Sequence, residues 1–432
     1  MIKLEYDRLS FTFPEIAGQL RAHVDRQIGH ILPEFLRPEE RTALLAELES
    51  RWGFRRLDGE AQDRHRLRVR TLTADEIEAA LRTAALRAAG LDDASFPALT
   101  IVFQRTLRLP DDGRTYPLPA GLGAFPLRSV DDFPATAPAS WLQRGGVVLP
   151  MYQSEALWIS FSAWYPFAVK IAAGKINAVS GEAWTAELHS EPQDYVVVPG
   201  QPWLDGFSVG EGLIRQFVAL PLGAGYSVEE QLTGRAEVGG MQLQVYPLSA
   251  EAYYRDRVAR ALPSSLCDVF DQFFDERLEK RRPVSDLIDE PPHRAPMCSG
   301  SMGLGAGGMM RQEIYQDPHT FADWDQTQTR RCFVHLCNSL VWRQVAGANP
   351  PHPPLTATEY QQARIPWFDY YRDDLKPLKG SERLAGVKSV AQLGKEKNSQ
   401  PLPENSPIAP ELIVQYGNTR RPGEIREFLD AP

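Results

Sequence analysis

Three groups of residues in this sequence have types and spacings that could do chemistry. The first is a run of soft ligands. Met297, Cys298, Met302, Met309 and Met310 fall within 14 residues of a chain that has seven methionines in all, and His293 lies just upstream. Thioethers and thiolates favour Cu(I), so this is a copper hypothesis. The competing reading is a flexible stretch that packs sulfur into apolar gaps, since no M-x-x-M repeat is present. The second group is C-x-x-H-x-C, formed by Cys332, His335 and Cys337. On a strand, His335 and Cys337 share a face and Cys332 points the other way. That is poor geometry for a tetrahedral zinc site. A Cys–His nucleophile pair made of His335 and Cys337 stays open, beside the plainer reading of buried strand residues. The third group is in the central part of the chain. Trp203, Asp205 and Glu211 sit in the Gly-rich PWLDGFSVGEG, Arg215 and Gln216 lie in an otherwise apolar strand, and Gln153 and Glu155 flank the start of another. A charge within such a strand needs a partner or water. Arg215 with Asp205 or Glu211 is either a structural ion pair or an Arg–carboxylate cluster at a cleft mouth that binds a polar ligand. In the second case Trp158, Trp164, Trp184 and Trp203 would form a stacking wall. The same tryptophans also read as core.

Other patterns mainly exclude. GLGAGG matches G-x-G-x-x-G through Gly303, Gly305 and Gly308, but a Pro-rich linker precedes it and a strand-like segment follows. The dinucleotide fingerprint needs a strand before and a helix after. No Lys-Ser or Lys-Thr follows, so it is not a P-loop. It reads instead as a glycine loop that admits close backbone approach, by a ligand or by neighbouring chain. SGSMG misses the G-x-S-x-G elbow because its first residue is Ser299. Arg64, Arg66, Arg68 and Arg70 alternate in HRLRVRTL, which predicts a strand with one cationic face, either solvated or facing an anion or acidic partner.

The elements that must position these groups follow from length and pattern. The chain has 432 residues, 43% hydrophobic and 24% charged, with a net charge of −9. That suits two or three globular domains with a substantial core, and gives no basic excess for nucleic acid. Thirty-five prolines and 32 glycines suggest a turn-rich, β-leaning fold. Four cysteines are too few for a disulfide scaffold. The start, MIKLEYDRLSF, does not read as a signal peptide, and no run of about 18 apolar residues reads as a transmembrane helix. The expectation is a cytoplasmic protein with reduced thiols.

Residues 1–95 read as a mainly helical module, with helices over Phe13–Leu32, from Pro38 to about Gly53, and from a Thr73 cap to Gly90. Residues 96–248 read as a β-rich core. FPALTIVFQRTLRL and RTYPL suggest a hairpin around an Asp-Gly turn. FAVKIA and MQLQVY alternate with period two, which implies one buried and one wet face. Residues 249–377 hold a helical segment with Phe270, Phe273, Phe274 and Leu278 at core spacing, the Gly/Met loop, a strand over RRCFVHLCNS and the aromatic cluster IPWFDYY. Residues 378–432 read as a wrapping or partly mobile tail. The fold class expected is therefore α+β: an antiparallel β-sandwich or barrel-like body with peripheral helices, plus the N-terminal helical module.

The run MYQSEALW, QPWLDGF, IRQFVALPLGAGYSVEEQLTG and GGMQLQVYP, with GLGAGGMMRQEIYQD and IPWFDYY, resembles a group of uncharacterised bacterial and fungal proteins, some loosely labelled integral membrane. The resemblance covers roughly residues 120 to 420 and implies no catalytic residue, cofactor or fold. Two functions are expected from the residues. One is a binding or assembly protein whose aromatic β body recognises a ligand or protein partner, with sheet edges available for self-association. The other is an enzyme whose site joins the Gly/Met/Cys loop to the WLDG loop, with or without a metal.

Overall fold

The computed structural model describes residues 1–55, 59–91, 95–266, 268, 300–370, 372, 374–398 and 408–416. The chain divides into two compact units, each built from separated stretches. One is helical and comprises Phe13–Pro97 and Leu248–Ile288. The other comprises Met1–Thr12, Ala98–Pro247 and Asp289–Pro432 and holds the strands. This differs from a helical module confined to residues 1–95. The first twelve residues are β structure, and Leu248–Ile288 belongs with the early helices.

In the helical unit, α1 (Pro14–Phe35) starts on a proline and buries Ile16, Leu20, Val24 and Ile28, one residue per turn. α2 (Pro38–Arg55) runs through Gly53 rather than stopping there. α3 (Gly59–Thr71) holds Arg64, Arg66, Arg68 and Arg70, so the expected cationic strand is a helix. There is a physical reason. A strand needs neighbours to pair with, whereas on a helix Arg66 reaches Glu49 and Asp63 at 3.0 and 3.1 Å, and Arg68 reaches Glu76 at 2.9 Å. α4 (Ala74–Ala88) opens on a Thr73–Glu76 capping box, and Gly90 follows its end with φ +68°. The helical run from Ala250 to Ala261 contains one π turn, Tyr254–Val258, and Tyr254 packs its ring 4.5 Å from that of His23 on α1. The Phe270–Leu278 spacing lies outside the described residues.

The second unit opens with the hairpin β1 (Ile2–Glu5) and β2 (Arg8–Thr12). Next come β3 (Ala98–Thr106), the short β4 (Thr115–Tyr116), β5 (Leu118–Pro119), β6 (Gly121–Ala124) and β7 (Arg128–Ser129), then β8 (Val147–Met151) and β9 (Ala156–Ala163). They are followed by β10 (Phe167–Ala173), β11 (Ile176–Asn177), β12 (Val196–Val198), β13 (Trp203–Leu204), β14 (Gly206–Gly210), β15 (Leu213–Pro221) and β16 (Met241–Pro247). Last are β17 (Ser301–Arg311), β18 (Arg330–Asn338), β19 (Trp367–Tyr370) and β20 (Ile413–Tyr416). Among the described residues, seventeen strands form one sheet, and β5, β19 and β20 form another. The antiparallel path β1–β2–β3–β9–β15–β17–β18–β16–β10–β12 is its spine, with β4 and β8 added in parallel to β17 and β18. The protein is thus α+β with a sheet-rich body. Among the described residues no helix is long and apolar enough to cross a membrane.

Three local expectations change. β3 does not form a hairpin with the segment after PDDG: its neighbours are β2, β9 and β6, while β4 pairs with β17. The alternate residues of β10 and β16 are not wet. Lys170 is 1% exposed, and Gln242 and Gln244 are buried beside it. Residues 184–189 lie over this face. Lys170 Nζ sits 2.6 Å from Asp194 Oδ2, donates to Glu187 O at 2.5 Å, and lies 5.4 Å from the Trp184 ring. Alternation therefore marks a polar layer under cover, with its charge paired. Finally, the Gly/Met loop is the buried strand β17. Its glycines admit neighbouring chain: a Cβ on Gly308 would lie 2.6 Å from Pro110 O.

Candidate functional site

β13 pairs with β9 so that Trp203 stands opposite Ser160, and Trp158 projects two residues along from it. The chain then passes through Asp205 into β14. Gly206 makes this path possible: a Cβ there would lie 2.0 Å from Arg215 O on β15. Asp205 is thereby held in the sheet, 2% exposed. Its N–H donates to Gln312 Oε1 at 3.0 Å, and Gln312 Nε2 donates back to Asp205 Oδ2 at 2.8 Å. Gln312 immediately follows β17, so the WLDG segment and the end of the Gly/Met segment do meet, through an amide rather than through sulfur.

The small sheet supplies the facing wall. β19 pairs with β5, placing Phe368 opposite Leu118, and Arg311 at the end of β17 ties Asp369 of β19 with two 3.0 Å contacts. Between these elements lies a cleft of about 360 Å³, lined by Leu118, Pro119, Trp158, Trp203, Phe368 and Tyr370, with Asp205 as its carboxyl group. The Trp203 ring stands edge-on to Trp158 at 6.2 Å and tilted against Tyr370 at 4.8 Å. Trp158 Nε1 is buried and has no hydrogen-bond partner among the described residues. Burial pushes the Asp205 carboxyl up to about 8, and the Gln312 hydrogen bond offsets this only in part. Among the described residues no cation pairs with it, so near neutral pH it is mostly a carboxylic acid. Burial also raises the Tyr370 phenol.

The other expected site residues are elsewhere. Arg215 does not reach Asp205 or Glu211. It stands opposite Phe207, and its guanidinium goes to Asp111 at 3.4 Å and Gly307 O at 3.2 Å. Glu211 is exposed in the tight turn between β14 and β15. Gln216 is fully buried and acts on the backbone: Nε2 donates to Leu107 O and Oε1 accepts from Leu109 N–H, both at 2.9 Å. Glu155 is buried against Arg105, 2.7 Å from its Nε. Burial raises its carboxyl to about 6, with Arg105 and the Tyr152 N–H pulling the other way. Gln153 is half-buried beside it, and Trp164 is exposed.

Among the described residues the metal readings do not assemble. His293, Met297 and Cys298 lie outside the described residues. Met302 and Met309 are seven residues apart on β17, roughly 23 Å at the rise of a strand. Met309 and Met310 point to opposite faces. His335 Nε2 is 2.9 Å from Gly145 O and its ring stacks on Trp141 at 5.1 Å, and burial lowers it to about 4. Burial raises Cys332 and Cys337 to about 12, so neither is the thiolate that a Cys–His pair requires. Among the described residues no group of three or more His, Cys, Asp or Glu could hold a metal ion.

Of the expected cluster, then, the structure brings Trp203, Asp205 and Trp158 to one cleft. Leu118, Phe368 and Tyr370 complete it, Gln312 holds Asp205 from behind, and none of these was expected there, although IPWFDYY stood out as an aromatic cluster. No family model, no curated protein and no solved structure matches this chain.

Proposed function

We propose that the protein binds a small, largely apolar molecule in the aromatic cleft, with Asp205 as the polar anchor that orients it. One observation carries this reading. A buried carboxyl with no cationic partner among the described residues lines a cleft of about 360 Å³ whose other walls are aromatic and aliphatic. Folding a carboxyl into an apolar site is costly, and apolar pockets of about 300–1,000 Å³ with few polar groups are the usual form of ligand sites. Binding is favoured over catalysis because Asp205 and Tyr370 are the titratable groups lining the cleft. Both are mostly protonated near neutral pH, so the cleft presents no standing general base or nucleophile.

The test is a fragment titration followed by the indole N–H resonances of the protein in solution. Small aromatic fragments such as indole and phenol should shift the Trp158 and Trp203 signals saturably. Trp203→Leu should weaken binding about tenfold or more, the scale of losing one large aromatic contact. Shifts that are absent, or that leave Trp158 untouched while other tryptophans move, would remove the cleft as the site.

A further inference from the structure

Resting on that reading of the cleft, we infer that its ligand is an organic cation: an alkylated ammonium whose charge lies against the Asp205 carboxylate and whose alkyl groups lie against Trp158, Trp203 and Tyr370. The faces of tryptophan and tyrosine attract cations, and converging aromatic rings are the known chemistry for alkylated ammonium groups. Here the Trp203 ring has Trp158 6.2 Å away and Tyr370 4.8 Å away, so the three rings converge on one volume. The carboxyl group beside them supplies the counter-charge.

The walls also exclude other cations. A small metal ion needs six to eight oxygens, or an octahedral set. A primary ammonium is strongly hydrated and has three N–H groups to satisfy. The cleft offers one carboxyl among apolar surfaces, which suits a cation that carries its own hydrocarbon shell. The charged side chains on the surrounding elements are occupied: Arg215 of β15 with Asp111, and Arg311 of β17 with Asp369 of β19. The neutral Gln312 hydrogen-bonds Asp205, and the Tyr370 phenol lines the same cleft. When the cation enters, the Asp205 carboxylic acid loses its proton to solvent and the carboxylate pairs with the ligand. The net charge of the cleft then rises by about zero for each ligand bound, and the proton is the leaving species.

The experiment compares two probes of one shape, (3-hydroxyphenyl)trimethylammonium and 3-tert-butylphenol, by calorimetry on the full chain at pH 7. The expected result is at least tenfold tighter binding of the cation, with close to one proton released per site, read from the change in heat between two buffers. In Asp205→Asn the preference for the cation should vanish while the phenol still binds. Equal or tighter binding of 3-tert-butylphenol by the unaltered protein overturns the inference and leaves the cleft as a site for neutral ligands. A cation preference that survives in Asp205→Asn, or that comes without proton release, overturns it as well. Failure of both probes overturns the inference together with the reading of the cleft. The unaltered protein decides between the two probes whether or not the variant folds.

Discussion

Two buried carboxyl groups show how much a partner matters. Glu155 has Arg105 beside it and is raised only to about 6, while Asp205 has an amide and is raised to about 8. Asp205 therefore couples stability to pH. Its carboxyl is held above the unfolded value of about 4, so the folded state keeps a proton that the unfolded state has lost. The resulting stability is present in full below about pH 4 and is lost as pH rises towards about 8. Asp205→Asn removes the titration and keeps an oxygen to accept from Gln312. It should be more stable than the unaltered protein at pH 8, by about 1–3 kcal/mol, and level with it at pH 5. Urea unfolding at the two pH values checks this, and an asparagine variant that is weaker at pH 8 would refute it. Asp205 was legible in the sequence because a carboxyl between tryptophan and glycine in a strand-rich stretch is out of place. Its pairing was not legible. Arg215 is close in sequence, but it stands opposite Phe207 and turns to Asp111, a residue about a hundred positions away.

At the scale of elements, periodicity named the polar positions correctly but not their exposure. FAVKIA and MQLQVY are strands as the alternation predicts, yet their polar faces lie under residues 184–189, which no local pattern announces. HRLRVRTL alternates too, but with no sheet to join it is helical, since paired arginines suit a helix surface well. Glycine is ambiguous in the same way. GLGAGG reads as a loop by composition, whereas β17 needs its glycines because other chain segments press on it. A Cβ on Gly305 would lie 2.8 Å from a Leu220 methyl, 2.9 Å from Tyr226 O and 3.0 Å from a Val390 methyl. Gly18 within α1 has nothing within 4 Å of that position. Gly305→Ala should therefore cost about 1–3 kcal/mol through overpacking. Gly18→Ala should stabilise by about 0.5–1 kcal/mol through helix propensity. Thermal melts of the two variants should move in opposite directions, and a neutral Gly305→Ala would mean that the strand has more room than its neighbours show.

At the scale of the whole molecule, the order of the chain hides how it is divided. The composition changes near residue 95, which suggests a separate N-terminal module, and α1 and α4 are where the caps and periodicity put them. Yet the module is neither N-terminal nor continuous. Residues 1–12 carry β1 and β2, and β2 pairs with β3 across the whole of the early helical stretch. The helical unit in turn takes in Leu248–Ile288, where Tyr254 packs on His23 and Leu266 N–H reaches Glu40 Oε2 at 3.5 Å. Such pairings over about 230 positions leave no local mark, because each segment looks only like a helix with one apolar face. They do have a consequence for fragments. A piece covering residues 13–97 exposes the face of α1 that the helical run from Ala250 covers, and helices of this length owe most of their stability to packing. That piece should show reduced helicity and a broad melt by circular dichroism. Adding a peptide of residues 248–288 should restore helical signal and sharpen the transition. A fragment that melts cooperatively by itself, with no response to the peptide, would show that the early helices form a self-sufficient domain.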